Sequence, residues 1–311
     1  MSGEGPAPAL SLVVPVYNEE ENVGALHAEL GRIAGELACP YEIVFVNDGS
    51  RDGTLARLEA LAAADPHLHI VDLDGNFGEA AALSAGFAHA RAAVIVTLDG
   101  DGQNDPADIP RLLARLEDGF DVVSGRRVER REAFLSRVLP SRIANWLIAR
   151  ATGVPVHDCG CGLKAYRREV VAGVQLPRGM NRFLPAILGV DPSRVAEVPV
   201  RDRPRGGGRS HYGLERVFVV CRDLVALPLL VRRRARTRAL ARTLGTTGAV
   251  LTGVGLAALA SALVRPGTHG IALAATLAAL LAAAAGRAIG HNVDRFVTAQ
   301  EEGVFRVRGV V

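Results

Sequence analysis

Cysteine is sparse in this chain, and four of them (Cys39, Cys159, Cys161, Cys221) among 311 residues do not make a disulfide framework. The first 30 residues lack the basic, apolar, small-residue order of a signal peptide, which predicts that the soluble part stays in the cytosol. Aromatics are few, 5% of the chain against 49% hydrophobic residues, so the apolar excess is Ala, Leu and Val. That excess gathers toward the C-terminus, which predicts a soluble part followed by a membrane part. A large excess of one charge is also missing. The net charge of +3 excludes nucleic acid as an obvious partner, and what matters is where the Arg residues cluster, at 126–150, 201–209 and 232–242. There is no internal repeat and no low-complexity tract apart from the Ala-rich tail.

What is present first is a periodic pattern. Apolar, β-prone runs at Leu12–Val16, Tyr41–Val46, Leu68–Leu73, Val94–Leu98 and Asp121–Ser124 alternate with helical segments. Between the first two runs, Val23, Leu26, Leu30, Ile33 and Leu37 recur at steps of three and four, one face of an amphipathic helix. Asp105 followed by Pro106 reads as an N-cap with proline at the first helical position. This alternation predicts right-handed βαβ units, hence an α/β fold with a mostly parallel sheet and helices on both faces.

Residues 126–213 read as an extension of the same domain, with an Arg-rich helix, a Gly and Cys loop, and a strand at Ala196–Arg201. From Leu214, one helical face carries Leu214, Val217, Phe218, Cys221, Leu224 and Val225. The opposite face carries Glu215, Arg216, Arg222 and Asp223, which suits either the membrane interface or packing on the domain. Gly245–Val264 is a charge-free run of 20 residues. As a helix it would reach about 30 Å, enough to cross a hydrocarbon core. Ile271–Ala285 with its flanks predicts a second crossing, turned at Arg265, Pro266 and Gly267. Arg residues at 232, 233, 234, 236, 238 and 242 precede the first span, and Arg287 and Arg295 follow the second, which predicts both ends on the cytosolic side. The expected organisation is a catalytic domain over 1–213, juxtamembrane helices over 214–244, a two-helix transmembrane hairpin over 245–290 and a cytosolic tail over 291–311. The hairpin is also the expected contact of any homo-oligomer.

Each early strand hands over to a polar loop: Pro15-Val16-Tyr17-Asn18-Glu19, Asn47-Asp48-Gly49-Ser50, Asn76, and Asp99-Gly100-Asp101-Gly102-Gln103. In a parallel sheet these loops share the edge outside the carboxyl ends of the strands, where ligands bind. Asp99 and Asp101 can aim carboxylates at one point, Gln103 can add a neutral oxygen, and such oxygens suit Mg²⁺ or Mn²⁺. An EF-hand is excluded, because its sixth position would be Asn104 and its twelfth Pro110. Gly160–Ala165 has dinucleotide-fingerprint spacing, but no clear strand leads into it, so it reads as a loop. His157, Cys159 and Cys161 lack the spacing and the fourth ligand of a common zinc site.

Together these motifs resemble the family 2 glycosyltransferases of GT-A fold, and among them the polyprenyl-phosphate sugar transferases. VVPVYNEEENV at 13–23 and VNDGSRDGT at 46–54 resemble the nucleotide-binding openings of that family. The segment from Gly75 resembles its RNFGK stretch, with Gly75 and Glu79 replacing Arg and Lys. TLDGDGQNDP at 97–106 is similar to DADLQDP. The resemblance implies a nucleotide-sugar site of Pro15, Tyr17, Asn18, Glu19, Asp48, Asp99, Gly100 and Asp101, with Asp101 and Gln103 as metal ligands. VVSGRRV implies that Arg126, with Arg137 as a second cation, contacts the lipid phosphate. Asp158-Cys-Gly-Cys-Gly-Leu-Lys164 keeps the spacing of D-x-x-x-G-F-R, which adds Asp158 and Lys164 to the acceptor side. Arg205, Ser210 and His211 match a diphosphate-clamping R-x-x-G-x-S-K, with His211 in place of Lys.

The implied activity is transfer of a sugar from a UDP- or GDP-linked donor to a polyprenyl phosphate at a membrane, with inversion by one direct displacement. Phosphate monoesters ionise near pH 6, so the acceptor needs no strong base. The implied catalytic residues Asp99, Arg126 and Arg137 manage charge instead. A scaffold or nucleotide-sugar sensor without turnover, and a transferase for another lipid or a polysaccharide, are the alternatives. A processive polysaccharide synthase does not fit, since no Gln-x-x-Arg-Trp is present and the only Trp is Trp146.

Overall fold

The computed structural model describes residues 7–128, 149–150, 153–154, 156–203, 243, 246–247, 249–257, 260 and 269–311. The chain forms two compact units, one of Met1–His211 with Glu302–Val311 and one of Tyr212–Glu301.

In the first unit the alternation seen in the sequence becomes β1 (Leu10–Val16), α1 (Val23–Glu36), β2 (Tyr41–Asn47), α2 (Thr54–Ala62), β3 (Leu68–Leu73), α3 (Glu79–His89) and β4 (Val94–Thr97). A short 3₁₀ turn at Pro106–Asp108 then leads into α4 (Ile109–Glu117), β5 (Val122–Arg127), β6 (Lys164–Arg167) and β7 (Val195–Val200). β8 (Val307–Val310) closes the order, and the strands run β7-β5-β6-β4-β1-β2-β3-β8 across one eight-stranded sheet. β1 pairs in parallel with β2 and β4, β2 with β3, and β5 with β7. β6 is antiparallel to both β4 and β5, so β4 and β5 point the same way. The sheet is therefore mixed but mostly parallel, as the βαβ spacing predicts.

Every residue of β1 is buried, the pattern of a central strand covered on both faces. On one face Leu10, Leu12, Val14 and Val16 pack with Val23, Leu26, Leu30 and Ile33 of α1. The predicted apolar stripe is thus the buried stripe, with Leu37 partly buried at its end. On the other face α3 lies so close that a Cβ on Gly86 would stand 2.3 Å from Val13 Cγ1 and 3.3 Å from Val46 Cγ2. The Ala-rich sequence of α3 permits that approach, which is why Ala80 to Phe87 are all buried. Asp105 caps its turn as expected, accepting from the Ala107 N–H at 3.0 Å.

Two strands escape the periodic reading. Residues 164–167, which begin inside a segment that reads as a loop, form β6, and residues 307–310, which read as tail, form β8 against β3. Both are four residues long, and neither is a continuous apolar run like the four residues of β4. In the second unit one helix runs His269–Glu302, past the expected boundary at 290, and stops before Gly303 at φ +80. Among the described residues no helix is long and apolar enough to cross a membrane. Most of the predicted juxtamembrane segment and much of the first predicted span lie outside the described residues.

The Gly86 contact yields a paired prediction. Gly86→Val should cost about 1–3 kcal/mol of stability by overpacking against a stiff β-branched neighbour. Gly35→Ala in α1, where an added Cβ meets nothing within 4 Å, should gain about 0.5–1 kcal/mol. Denaturant titration of the two variants checks both signs.

Candidate active site

The polar loops meet at the carboxyl edge of β1, β2, β3 and β4, and much of their polar chemistry ties one loop to the next. Asn18, at φ +55, donates its N–H to Ser50 Oγ at 3.0 Å and accepts the Arg51 N–H at 2.8 Å. Glu19 gives its N–H to Thr54 Oγ1 at 2.9 Å and takes the Asn22 amide at 2.5 Å. Asp48 is buried and accepts the N–H groups of Phe77 and Gly78 at 2.7 and 2.8 Å. Burial pushes its carboxyl above the usual range, although those two donors oppose the rise. Gly49 at φ +66 lies so close to the next loop that a Cβ would stand 2.4 Å from the Gly75 carbonyl carbon. Asn18, Glu19 and Asp48, expected as donor contacts, hold the edge together, while Tyr17 is exposed beside them.

The loop after β4 carries the central carboxylates. The Asp99 N–H donates to Asn104 Oδ1 at 2.9 Å, and Asp101 Oδ1 accepts the Gln103 N–H at 3.1 Å across Gly102 at φ +73. Gly100 sits on β1, where a Cβ would reach 2.8 Å from the Pro15 carbonyl, so Pro15 shapes the loop through its backbone. The Gln103 carbonyl accepts the Arg203 N–H at 2.8 Å, and Arg203 also donates to Asp105 at 2.7 Å and to Glu29 at 2.8 Å.

A small cleft opens behind this loop, lined among others by Pro15, Glu79, Asp99, Lys164, Asn181 and Arg182. Burial, then the charges of Glu79 and Asp101, raise the Asp99 carboxyl to about 7, against the pull of Lys164 and Arg127. Its carboxylate lies where a Cβ at position 162 would stand, so any larger residue there would displace Asp99. Lys164 reaches this place because it pairs with Thr97 at the end of β4, and its buried ammonium donates to the carbonyls of Cys159, at 3.4 Å, and Cys161. Burial lifts both thiols to about 12, which leaves them protonated and poor metal ligands or nucleophiles. His157 is taken up by Glu197, with Nδ1 2.7 Å from its carboxylate, and no group of three metal-binding side chains occurs among the described residues.

Arg126 and Arg127 separate by strand alternation. Arg126 is exposed at the carboxyl end of β5, whereas Arg127 turns inward and grips Asp158 with Nε and Nη2 at 2.9 and 3.1 Å. Asp158, expected on the acceptor side, is therefore held by a bidentate pair. The Asp158 hydrogen bonds raise the Arg127 pKa, although burial works the other way. Arg127, Asn104, Arg203 and the Asn181–Glu79 hydrogen bond, at 2.6 Å, were not read from the sequence. Only the doubled Arg at the end of a strand hinted at two roles, one per face. Arg137, Arg205, Ser210 and His211 lie outside the described residues.

Asp101 and Gln103 are the residues that would hold a divalent ion: they lie two apart on one loop, joined by the Gln103 N–H on Asp101 Oδ1, and pair one carboxylate with one neutral amide oxygen. Mg²⁺ and Mn²⁺ often take few protein ligands and complete their shell with phosphates and water.

The sheet is mostly parallel, and acidic loops lie at its carboxyl edge, the place where α/β sheets take ligands. Glucosyl-3-phosphoglycerate synthase from Mycobacterium tuberculosis, solved with Mn²⁺, uridine diphosphate and glucosyl-3-phosphoglycerate, shares that fold. Its TM-score is 0.54 at 19% identity, over 71% of this chain and 79% of that one. Residues 11–174 match glycosyl transferase family 2, and the chain belongs to that family and is a glycosyltransferase. A dodecaprenyl-phosphate galacturonate synthase of Rhizobium johnstonii is 42% identical over 73% of this chain and 68% of its own length. An undecaprenyl-phosphate 4-deoxy-4-formamido-L-arabinose transferase of Shewanella sediminis is 39% identical over 70% of this chain and 65% of its own length. The match spans about two thirds of the length of these relatives.

The raised Asp99 pKa sets a pH signature. A carboxyl whose pKa climbs from 3.8 unfolded to about 7 folded opposes folding increasingly as pH rises through that window, and its cost is constant above it. In EDTA, Asp99→Asn should therefore stabilise the protein above pH 7 and lose that gain toward pH 4. Parallel stability curves for the two proteins would refute the shift. Arg127→Ala, which strands the buried Asp158 carboxylate, should cost about 3–5 kcal/mol in the same titrations.

Proposed function

We propose that the protein transfers a sugar from a nucleotide diphosphate donor to a polyprenyl phosphate at a membrane surface. The observation that carries this reading is the pair of carboxylates, Asp99 and Asp101, on the loop that ends β4, with Lys164 behind and Arg126 exposed at the parallel end of β5. The printed activities of the relatives, both on polyprenyl phosphates, support the acceptor class.

Asp101 and Gln103 would hold Mg²⁺ or Mn²⁺, which when bound would neutralise the departing diphosphate. The chain supplies the rest. The tied loops over Asn18, Asp48 and Gly100 present an ordered edge to the nucleotide, and the sugar would lie over the loop of Asp99 and Asp101. Arg126, with Arg137, holds the acceptor dianion against the repulsion of the donor. Arg205, Ser210 and His211 complete the diphosphate contacts. Because the acceptor arrives ionised, no residue has to remove a proton from it, and displacement with inversion follows from placing it opposite the leaving group. The apolar C-terminal part, as a hairpin over 245–290, would keep this edge at the cytosolic face of a membrane, in contact with lipid.

Full-length protein in membranes should convert undecaprenyl phosphate and one of a panel of UDP and GDP sugars to a glycolipid identifiable by mass. Asp101→Asn should lower that transfer by about 100-fold or more and should abolish the rise in melting temperature that Mn²⁺ causes in the wild type. Nucleotide binding without turnover on any donor would favour the sensor instead, and full transfer in EDTA would sink the metal assignment.

A further inference from the structure

β8 returns to the sheet from the second unit and pairs antiparallel with β3, matching Val310 to Val71, Gly309 to Asp72 and Val307 to Leu73. Arg308 is the residue left over in that register, so a β-bulge sits at this position. Bulges re-aim side chains, and this one sends the Arg308 guanidinium to Asp72 at 3.4 Å and to Asp74 at 3.6 Å. The backbone joins the same place, since the Asp74 N–H donates to the Arg306 carbonyl at 2.9 Å.

From Asp72 a continuous line of hydrogen bonds runs into the donor edge. Asp72 is buried, and its Oδ1 accepts the Asn47 amide at 2.7 Å. Asn47 Oδ1 in turn accepts the Ser50 N–H at 3.2 Å, and Ser50 Oγ accepts the Asn18 N–H at 3.0 Å. Asp74 opens the loop whose Phe77 and Gly78 N–H groups are held by Asp48. One guanidinium thus sits at the root of two of the loops that form the nucleotide edge.

We infer that Arg308 is a positioning residue for the nucleotide donor, acting through Asp72 and Asn47 on the loop at 47–51 and through Asp74 on the loop at 74–78. The inference rests on reading that edge as the donor site. An exposed ion pair would carry little weight, but here one partner is a buried carboxylate already hydrogen-bonded to the loop. Removing the guanidinium leaves Asp72 to pull on Asn47 alone, and the loop must then be ordered when the nucleotide binds, which weakens binding without touching the reacting groups.

The test is calorimetric titration of full-length protein with UDP and with GDP in Mn²⁺, together with hydrogen exchange at the Ser50 and Arg51 amides. Arg308→Ala should weaken binding of the nucleotide that the wild type prefers by about 5-fold or more and speed exchange at both amides. Arg308→Lys should recover most of the affinity, and Arg306→Ala, an exposed side chain on the same approach, should bind like the wild type. Wild-type affinity in Arg308→Ala overturns the inference, as does an equal loss in Arg306→Ala. If the Ala variant does not fold, Arg308→Gln carries the test, and wild-type affinity there overturns it. A wild type that binds neither nucleotide refutes the donor-site reading itself, a failure distinct from one confined to the variants.

Discussion

The Asp99 carboxylate, pressed against Gly162 and drawn toward Lys164, is the constraint around which the site is arranged. Left to itself a buried carboxylate beside Asp101 and Glu79 would protonate. The fold limits that tendency by bringing Lys164 in on an antiparallel strand laid beside β4, so that the cation comes from 65 residues away in sequence at the register position of Thr97. Lys164 is in turn kept in place by carbonyls of the loop at 159–161, whose root is fixed by Arg127 on Asp158 and by Glu197 on the His157 and Asp158 N–H groups. A chain of contacts from β5 and β7 thereby governs a charge at the end of β4.

The edge that carries the polar loops is organised in the same way. Its acidic and amide side chains do not simply wait for a ligand. Asn18 and Asp48 each commit hydrogen bonds to a neighbouring loop, and Asn47 commits one to Asp72 of β3. Loops built this way are ordered before a ligand arrives, and a pre-ordered site loses less conformational freedom on binding. Glycine serves the same end at Gly49 and Gly100, where the backbones approach too closely for a Cβ. A polar residue in such a loop is thus an ambiguous signal, because tying and binding call for the same side chains.

Much of the architecture was legible because burial imposes a period. The runs that became β1 to β4 stand out as apolar, β-prone stretches between polar loops, and the α1 stripe from Val23 to Ile33 shows the helical period. The Asp105-Pro106 start was legible from local chemistry alone, since a cap and a proline act on their own turn. β6 and β8 were not legible. Lys164-Ala-Tyr-Arg and Val307-Arg-Gly-Val have weak intrinsic patterns and become strands because the sheet offers them partners, β4 and β5 on either side of the first and β3 beside the second.

The sequence by itself determined the order of the βαβ units, the edge that carries the polar loops and the identity of the acidic loop, because each follows from local periodicity or from adjacent residues. It determined equally the apolar character of the C-terminal third. Only the tertiary structure decided which of two neighbouring arginines faces solvent and which grips Asp158, and which cation shares the cleft with Asp99. The return of residues 307–310 to the sheet was decided there too. The reason is common to all three: each depends on strand pairing between segments far apart in the chain, and a one-residue change of register would hand the same side chains to the opposite face.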